Sequence, residues 1–563
     1  MTQQSVLSKM REVFRRAGAV AARAVPYVIL LAAIAFYAVA QVRSFGPSYV
    51  EVDPDGYIWT AKKMARLEVP VTEQPDMFQY HSHVWVQNED GEVSAKFAPG
   101  YPALLAIAYR LGGDTALFYV SPILGGLALI AAFLLFRLWM PPLPCALAVV
   151  TLVANRMYLY YCGFLLTHAA NLCFVAWGMY FLWKWYRRPG PGWGALAGLS
   201  IGYAATIRHT SVLIGVAGGA ALVGRLVRDW REGQFHPRAM ASLVLAGAVF
   251  PLLLLAYHDL VYGDVFASGY RLSGEQWAFS WKNFSSNFAI LGGGLNSEVL
   301  PLVFPFGLLG IILLGNWTER AMRLLWFLPL YLLYSAYYWS THGSSYFRFM
   351  IVTMPLLAGA GFALLNRIGR RRMRLAGLLS LCGLAVLLNL PHVQDGWTGE
   401  LVGQNRKLLG RLGRQFTREL ENDAVIFTRS PLTNHLGTRV RFTMYDLRAF
   451  SQRYGRRKFR PARGQEPRRQ PRRNERFTDF YEGLDSDDLD AEMRGLVEEH
   501  LKNGRQVVFI IPRGHRGNIE NALGESLELD RKDELNFEWD HWGRKRRHNY
   551  GIYPVRHSGK RPD

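Results

Sequence analysis

Acidic side chains cluster at one point in the apolar part of the chain, where they are otherwise scarce. Residues 49–57 read Tyr-Val-Glu-Val-Asp-Pro-Asp-Gly-Tyr, which places Glu51, Asp53 and Asp55 close together. Three like charges so close should raise the proton affinity of at least one carboxylate, which suits a general base. Asp53 followed by Pro54 also fits a helix N-cap. The pattern predicts either a catalytic carboxylate or a capped helix.

A lysine before a turn forms a second polar motif. Residues 96–102 read Lys-Phe-Ala-Pro-Gly-Tyr-Pro, and the Pro-Gly turn predicts a helix that begins near Tyr101, with Lys96 just before it. A cation beside an acid at the edge of a bilayer suits a phosphate-bearing lipid, because the phosphate charge is met while the tail stays in the membrane. A lysine whose stem lies along apolar surface is the alternative interpretation.

Two arginines lie where apolar stretches end, Arg208 after Thr-Ile and Arg348 after Tyr-Phe. Charges in or beside a membrane helix are costly and need partners, so each arginine is a candidate functional residue. Together with Lys96 they would stabilise a departing phosphate. Ion pairs with Asp259 or Glu298 are the competing explanation.

Histidine and cysteine give little indication of a metal site or a disulfide. His81 and His83 lie on one side of an extended segment and would bind a metal with Glu73 or Asp76, but two histidines without a clear third ligand are more typical of a solvated loop. The four cysteines all lie in apolar segments, where a thiol packs as a small hydrophobe. No cofactor is indicated, and a divalent metal is left open.

The charge distribution divides the chain of 563 residues into two parts. Residues 1–392 hold 31 basic and 18 acidic side chains, whereas residues 393–563 hold 34 and 26. The first part is poor in charge and contains repeated apolar stretches about as long as the roughly 20 helical residues that cross a bilayer. This composition excludes a soluble enzyme, a β-barrel and a disordered chain. It predicts a polytopic α-helical membrane protein.

The apolar stretches predict about eleven transmembrane helices. They lie near residues 25–41, 115–138, 143–159, 163–184, 192–206, 209–224, 239–261, 298–315, 323–338, 347–366 and 375–391. Lys and Arg concentrate in alternate connections, so residues 1–24 are predicted to be cytoplasmic and the C-terminal part to lie outside. Cleavage of residues 1–40 as a signal peptide is the alternative, and it leaves the next loop outside as well.

Two external regions are longer than ordinary turns: residues 42–114, the first outer loop of the membrane domain 25–392, and residues 262–297. Long connections in a compact domain usually have a use. The first outer loop contains amphipathic stretches from Tyr57 to Leu67 and from Tyr101 to Leu111. Both would lie flat on the membrane surface or fill gaps between spans.

Residues 393–563 are predicted to form a separate, extracytoplasmic α/β domain. Two short strands, 423–428 and 506–511, each follow a helix-like stretch, 404–421 and 488–503. Residues 453–476 contain eleven Arg or Lys with interspersed prolines, which indicates an extended segment. Attraction to anionic lipid headgroups and a merely disordered loop are the two interpretations, and nucleic acid is not expected as a partner.

The polar motifs resemble, in their order, those of the C-type (GT-C) glycosyltransferases. Within that group the chain is similar to the branch with protein O-mannosyltransferases and lipid A aminoarabinose transferases, and to uncharacterised bacterial relatives. The motifs are Asp53-x-x-x-Tyr57 with Met64, Lys96-x-x-Pro99-Gly-Tyr-Pro102, Thr206-Ile-Arg208, Tyr262-Gly-Asp-Val-Phe266 with Gly269-Tyr270, and Arg348-Phe-Met-Ile-Val-Thr-Met-Pro355.

The resemblance implies an inverting glycosyltransferase that moves a sugar from a polyprenyl-phosphate donor to a hydroxyl of a sugar, lipid or protein acceptor. The reaction would occur at the outer face of a bacterial inner membrane. Asp53 matches the residue that activates the acceptor, and because Pro54 stands where many relatives have an acid, Asp55 is a second candidate base. Lys96 matches the phosphate-binding lysine, joined by the two arginines. The residues expected to contact substrate are Glu51, Tyr57, Tyr101 and Tyr270.

A multi-pass transporter or flippase of lipid-linked or polar solutes is the alternative function. Transporter sites usually lie near the middle of the membrane at interrupted helices. The acids of this chain are instead concentrated at the outer edge, with hardly any within a predicted span. This distribution favours the enzyme. A catalytically inactive scaffold is the third interpretation.

Overall fold

A computed structural model gives the architecture of residues 3–48, 53–72, 84–392, 411–412, 420–421, 423–428, 443–447, 486–530, 533–541 and 544–558. The chain divides into two compact units. The helical unit comprises residues 1–44, 119–254 and 279–399, and the mixed unit comprises residues 45–118, 255–278 and 400–563.

The helices are numbered in chain order over the described residues. They are α1 (Gln3–Ser44), α2 (Asp53–Ala65), α3 (Gly100–Ala116), α4 (Val120–Phe136), α5 (Pro142–Val153), α6 (Arg156–Gly163), α7 (Thr167–Arg187), α8 (Pro191–Ile207), α9 (Gly215–Glu232), α10 (Pro237–Tyr262), α11 (Gly269–Leu272), α12 (Trp281–Gly294), α13 (Val303–Leu313), α14 (Trp317–Ser335), α15 (Met354–Leu365), α16 (Arg371–His392), α17 (Ser486–Lys502) and α18 (Arg516–Leu523). Short 3₁₀ segments include His209–Ile214, Glu275–Ala278 and Tyr338–Thr353.

Local sequence explains how helices of the helical unit begin and pack. Proline opens α5 and α8, where its missing N–H costs nothing. The Asn155 side chain caps α6 by accepting hydrogen bonds from the N–H groups of Met157 at 2.9 Å and Tyr158 at 3.1 Å. Gly307 lets α13 approach α15 closely, because a Cβ there would lie 2.6 Å from the Leu357 carbonyl oxygen. Gly307 therefore allows the close spacing of α13 and α15.

Six helical stretches within the described residues are long and apolar enough to cross a bilayer. They are Arg23–Ser44, Gly100–Phe136, His209–Glu232, Pro237–Tyr262, Tyr346–Leu365 and Arg371–Leu390. The number rises to eight if each of two bent helix pairs counts as one span, α5 with α6 at 67° and Trp281–Val299 with α13 at 115°. Every predicted span lies largely on helix, but 143–159 and 298–315 each contain one of these bends. The predicted spans 163–184, 192–206 and 323–338 are not among the six or eight, so the number eleven stays a prediction.

The mixed unit contains two helices and a hairpin from residues 42–114, the predicted first outer loop. Helix α2 packs on α3, and Lys62 Nζ forms an ion pair with Asp114 at 2.6 Å. Strands β1 (Trp85–Gln87) and β2 (Val93–Ala95) pair antiparallel. The two predicted amphipathic stretches are helical, since α2 and α3 cover most of them. Helix α3 is kinked at Gly112 and Gly113, which adopt non-helical backbone angles.

The described part of residues 400–563 is an α/β arrangement, as predicted. Strands β3 (Val425–Thr428), β4 (Thr443–Asp446), β5 (Val507–Pro512), β6 (Leu527–Leu529), β7 (Asp533–His541) and β8 (Arg544–His557) form one sheet in the order β4-β3-β5-β8-β6, with β7 on β8. Strand β3 runs parallel to β4 and β5. The Phe427 ring stacks between Tyr445 and Phe509, each with centroids 4.7 Å away.

Helix α17 precedes β5, and Met493 and Val497 on it are buried in the same core. The predicted helix 488–503 is therefore confirmed. The predicted helix 404–421 falls largely outside the described residues, and the basic segment 453–476 falls outside them entirely.

His500 on α17 predicts a pH dependence of this sheet. Arg505 Nη1 lies 3.4 Å from His500 Nδ1 and must be the donor, so the imidazole proton lies on Nε2, 2.9 Å from the Tyr445 hydroxyl. Burial and then the Arg505 charge lower the pKa of His500 below its ordinary value of 6.5. Stabilisation from this group is therefore complete above pH 6.5 and is lost as the pH falls towards the lowered pKa.

Amide hydrogen exchange in β3 and β5, corrected for intrinsic rates, should accordingly show more opening at mildly acidic pH than at neutral pH. His500→Gln should remove most of that difference. If the variant keeps the same pH dependence of opening, titratable groups other than His500 cause it.

Candidate functional site

Helix α2 places the two predicted catalytic carboxylates in its first turn. Asp53 is its first residue and Asp55 its third, and both side chains are partly exposed. The partial positive charge of a helix N-terminus favours carboxylates there. Tyr57 follows Asp53 by four residues, so these two side chains share one face of the helix.

Three tyrosines predicted to contact substrate join one aromatic cluster in the mixed unit. The Tyr57 ring lies 4.3 Å from Phe97 and 5.3 Å from Tyr101, measured between ring centres. Phe97 in turn lies 6.3 Å from Tyr270, edge to face. The structure thus brings together residues near positions 57, 97–101 and 270, which are remote in sequence.

Lys96 follows strand β2 and is held firmly at the centre of this cluster. Its backbone N–H donates to the Val84 carbonyl at 2.9 Å, and the Tyr262 hydroxyl donates to the preceding carbonyl of Ala95 at 2.9 Å. The ammonium lies 5.8 Å from the ring centre of Phe97 and 5.9 Å from that of Tyr270, within cation–π range.

Glu275 is the residue of this cluster that the sequence reasoning missed. Its Oε1 accepts a hydrogen bond from Lys96 Nζ at 2.5 Å, and the two form an ion pair. It lies six residues after Gly269, within the long region 262–297 that the sequence predicts to be external. An acid close behind the Gly269-Tyr270 motif was the only available signal, and nothing local in the sequence links it to a lysine 179 positions away.

Two glycines allow the segments of the cluster to approach so closely. A Cβ on Gly269 would overlap the Lys96 backbone, with its Cα, carbonyl carbon and oxygen as the nearest atoms. A Cβ on Gly56 would lie 2.6 Å from Val84 Cγ1 and 2.9 Å from the Phe97 ring. Since backbone cannot give way as a flexible side-chain end can, Gly269 fixes the position of Lys96.

The two predicted arginines come together within the helical unit. Arg208 follows α8 and donates hydrogen bonds to the Thr167 hydroxyl at 3.0 Å and to the Tyr334 hydroxyl at 3.4 Å. Its guanidinium lies 5.3 Å from the centre of the Phe349 ring, and that of Arg348 lies 5.2 Å from the same centre. Two positive charges therefore border one aromatic ring.

Glu298, one of the two acids named above as alternative ion-pair partners of these arginines, forms an ion pair with Arg156. Glu298 accepts a hydrogen bond from Arg156 Nη2 at 2.5 Å in the helical unit.

The remaining predicted residues fall outside the described part of the chain. These are Glu51 and the candidate metal ligands Glu73, Asp76, His81 and His83. Among the residues that the structure describes, no three His, Cys, Asp or Glu side chains are grouped as a metal site would require.

Comparison with solved structures reveals similarity along nearly the whole chain. The structure of ArnT from Cupriavidus metallidurans bound to undecaprenyl phosphate matches with a TM-score of 0.57 at 13% sequence identity, covering 93% of this chain and 97% of that one. Its apo structure matches with a TM-score of 0.55 at 14% identity, covering 94% and 98%. The chain has the C-type glycosyltransferase fold.

The GT-C fold confirms the resemblance that the motifs indicated. Together with the apolar helices, it makes this chain an integral, multi-pass membrane protein. No protein-family model matches the sequence, and no curated protein matches it either. The relationship to this fold is therefore visible in the order of short motifs and in the three-dimensional structure.

Proposed function

We propose that this GT-C protein is an inverting glycosyltransferase that moves a sugar from a polyprenyl-phosphate donor to an acceptor hydroxyl. The observation that carries the proposal is the convergence of three remote segments on Lys96 beside the helix that begins at Asp53. The likeness to a structure that holds undecaprenyl phosphate supports a lipid phosphate as the carrier. A buried ammonium amid aromatic rings is suited to bind such a phosphate.

Helix geometry favours Asp53 over Asp55 as the base. With 3.6 residues per turn, Asp53 projects about 40° from Tyr57 around the helix axis, whereas Asp55 projects about 160° from it. Tyr57 packs against Phe97, the neighbour of Lys96. Asp53 therefore shares the face of α2 that meets the lysine motif, and Asp55 lies on another face.

In the proposed reaction Asp53 accepts the proton of the acceptor hydroxyl as its oxygen attacks the anomeric carbon. The attack comes from the side opposite the phosphate, so the carbon–oxygen bond to phosphate breaks and the configuration inverts. The electron pair of that bond leaves with the polyprenyl phosphate. Lys96 stabilises the negative charge that develops on the phosphate. We propose Arg208 and Arg348 as further phosphate ligands.

We further propose that the reaction takes place at the outer face of a bacterial inner membrane, with the N-terminus inside. The support is the Lys and Arg excess in alternate connections of the sequence. A donor with a membrane-bound tail presents its sugar at the bilayer surface, so positioning contributes much of the rate enhancement. Residues 393–563 are proposed to recognise the acceptor, which a sugar, lipid or protein hydroxyl would supply.

Intact-lipid mass spectrometry of the purified protein tests the donor class. We expect a polyprenyl phosphate carrying a hexose or pentose to co-purify with the wild-type protein and to be lost from Lys96→Gln, because that variant lacks the phosphate-binding ammonium. Retention of bulk phospholipids alone by the wild type would contradict a lipid-linked donor. Equal amounts of the donor in both preparations would remove Lys96 from the site.

A further inference from the structure

The ion pair between Lys96 and Glu275 occupies the ammonium that the proposed function assigns to phosphate. The Lys96 side chain is 5% exposed, whereas that of Glu275 is 21% exposed. A buried ammonium needs an anionic partner, because an unpaired charge is strongly disfavoured in a medium of low polarity. Glu275 supplies that anion when no ligand is bound.

The two partners differ in how firmly the structure holds them. Lys96 is fixed by the backbone hydrogen bond to Val84, by the Tyr262 hydroxyl at the preceding carbonyl, and by Gly269 against its backbone. Glu275 instead begins the short 3₁₀ segment Glu275–Ala278 and follows Gly274, whose φ is +71°. Rotation of the Glu275 side chain can bring its partly exposed carboxylate into water. The Lys96 side chain, by contrast, is only 5% exposed.

We propose that Glu275 is a built-in competitor for phosphate at Lys96. Its carboxylate holds the ammonium in the empty site, and the phosphate of the lipid donor displaces it into solvent. The exchange replaces one anion by another, so the buried charge of Lys96 is compensated throughout. This inference rests on the proposed function, since it takes Lys96 as a ligand of the donor phosphate.

The exchange has a consequence for specificity. A ligand must offer an anion that outcompetes a carboxylate already in contact, so neutral lipids and lipids with a poorly placed charge are rejected. The same competition weakens the binding of the released polyprenyl phosphate and thus favours its departure after transfer. Glu275 is therefore a positioning and specificity residue, with no contact to the reacting carbon required.

Zero-length cross-linking of the wild-type protein tests the displacement directly. A water-soluble carbodiimide should join Lys96 to Glu275 in the ligand-free protein, because their side-chain atoms lie 2.5 Å apart and the carboxylate is partly exposed. Saturating undecaprenyl phosphate should lower the yield of that cross-linked peptide about tenfold. Lys63 and Glu68, paired at 2.9 Å in the same unit, provide the internal control and should cross-link equally in both samples.

Two outcomes of this experiment would overturn the proposal. One is a Lys96–Glu275 cross-link whose yield stays constant at saturating undecaprenyl phosphate, which would make the pair a permanent structural contact. The other is the absence of that cross-link from ligand-free protein while the Lys63–Glu68 cross-link forms.

Binding of undecaprenyl phosphate to full-length variants separates this proposal from the proposed function. Glu275→Gln should bind about tenfold more tightly than wild type, Lys96→Gln should bind far more weakly, and the double variant should behave as Lys96→Gln. Glu68→Gln, which breaks the control pair, should leave the affinity unchanged. If Lys96→Gln loses affinity but Glu275→Gln does not gain it, the competition is wrong and the function stands. If Lys96→Gln binds as wild type does, the function itself fails at this residue.

Discussion

We expect Asp53→Asn to lower the rate of sugar transfer about a thousandfold, which is within the range that loss of a general base produces. The amide keeps the shape of the side chain but cannot accept the proton of the acceptor hydroxyl. Donor binding should be unaffected, since the phosphate ligands are elsewhere in the proposal. The measurement is initial transfer rate in proteoliposomes with the lipid-linked donor saturating, alongside donor affinity by native mass spectrometry.

Asp55→Asn is the matched control, because it removes a carboxylate from the same turn of α2 but from a different face. We expect less than a tenfold loss of transfer in this variant. A larger loss for Asp55→Asn than for Asp53→Asn would reverse the assignment of the base. If both variants lose only a little of the transfer rate, neither carboxylate of α2 is the general base.

Gly269→Ala is expected to have the second large effect, a loss of at least about tenfold in donor affinity together with a lower melting temperature. The new Cβ would overlap the Lys96 backbone, so either α11 or the segment after β2 must move. Movement of Lys96 would separate its ammonium from Phe97 and Tyr270. Binding of undecaprenyl phosphate and thermal melting in detergent provide the two measurements.

Gly218→Ala provides the control for this substitution. Gly218 lies in α9, and a Cβ there would meet no atom within 4 Å. Replacing a helical glycine by alanine without steric conflict is neutral or stabilises by up to about 1 kcal/mol. We therefore expect an unchanged or higher melting temperature and unchanged affinity. If Gly269→Ala matches Gly218→Ala in melting temperature and in affinity for undecaprenyl phosphate, the Lys96 backbone can move without a measurable energetic cost.

Much of the fold was predictable because these helices and strands depend on patterns among residues that are close together in the sequence. Helices α2 and α3 follow from an apolar periodicity that begins after Asp-Pro and Pro-Gly, and β3 and β5 follow from short runs rich in β-branched and aromatic residues. The long strands β7 and β8 were not predicted. Their sequences are crowded with charge, and their pairing depends on register between strands rather than on an apolar run.

The candidate site was predictable only in part, for a similar reason. Residue type and motif order singled out Tyr57, Lys96, Tyr101 and Tyr270, and the structure brings these four into one cluster. The pairing of Lys96 with Glu275 was invisible, because it joins segments 179 positions apart through tertiary packing. The need for Gly269 was equally hidden, since a close approach between backbones leaves no periodic signal.

We propose that this protein cleaves the sugar–phosphate bond of a lipid-linked donor with Asp53 as the base. The most direct test mixes purified protein with its isolated polyprenyl-phosphate sugar and an envelope extract as acceptor, and follows both lipids by mass spectrometry. We predict that wild type converts the donor into free polyprenyl phosphate, with one sugar transferred per lipid released, and that Asp53→Asn leaves the donor intact. Equal donor consumption by wild type and Asp53→Asn would contradict a role for Asp53 as the base.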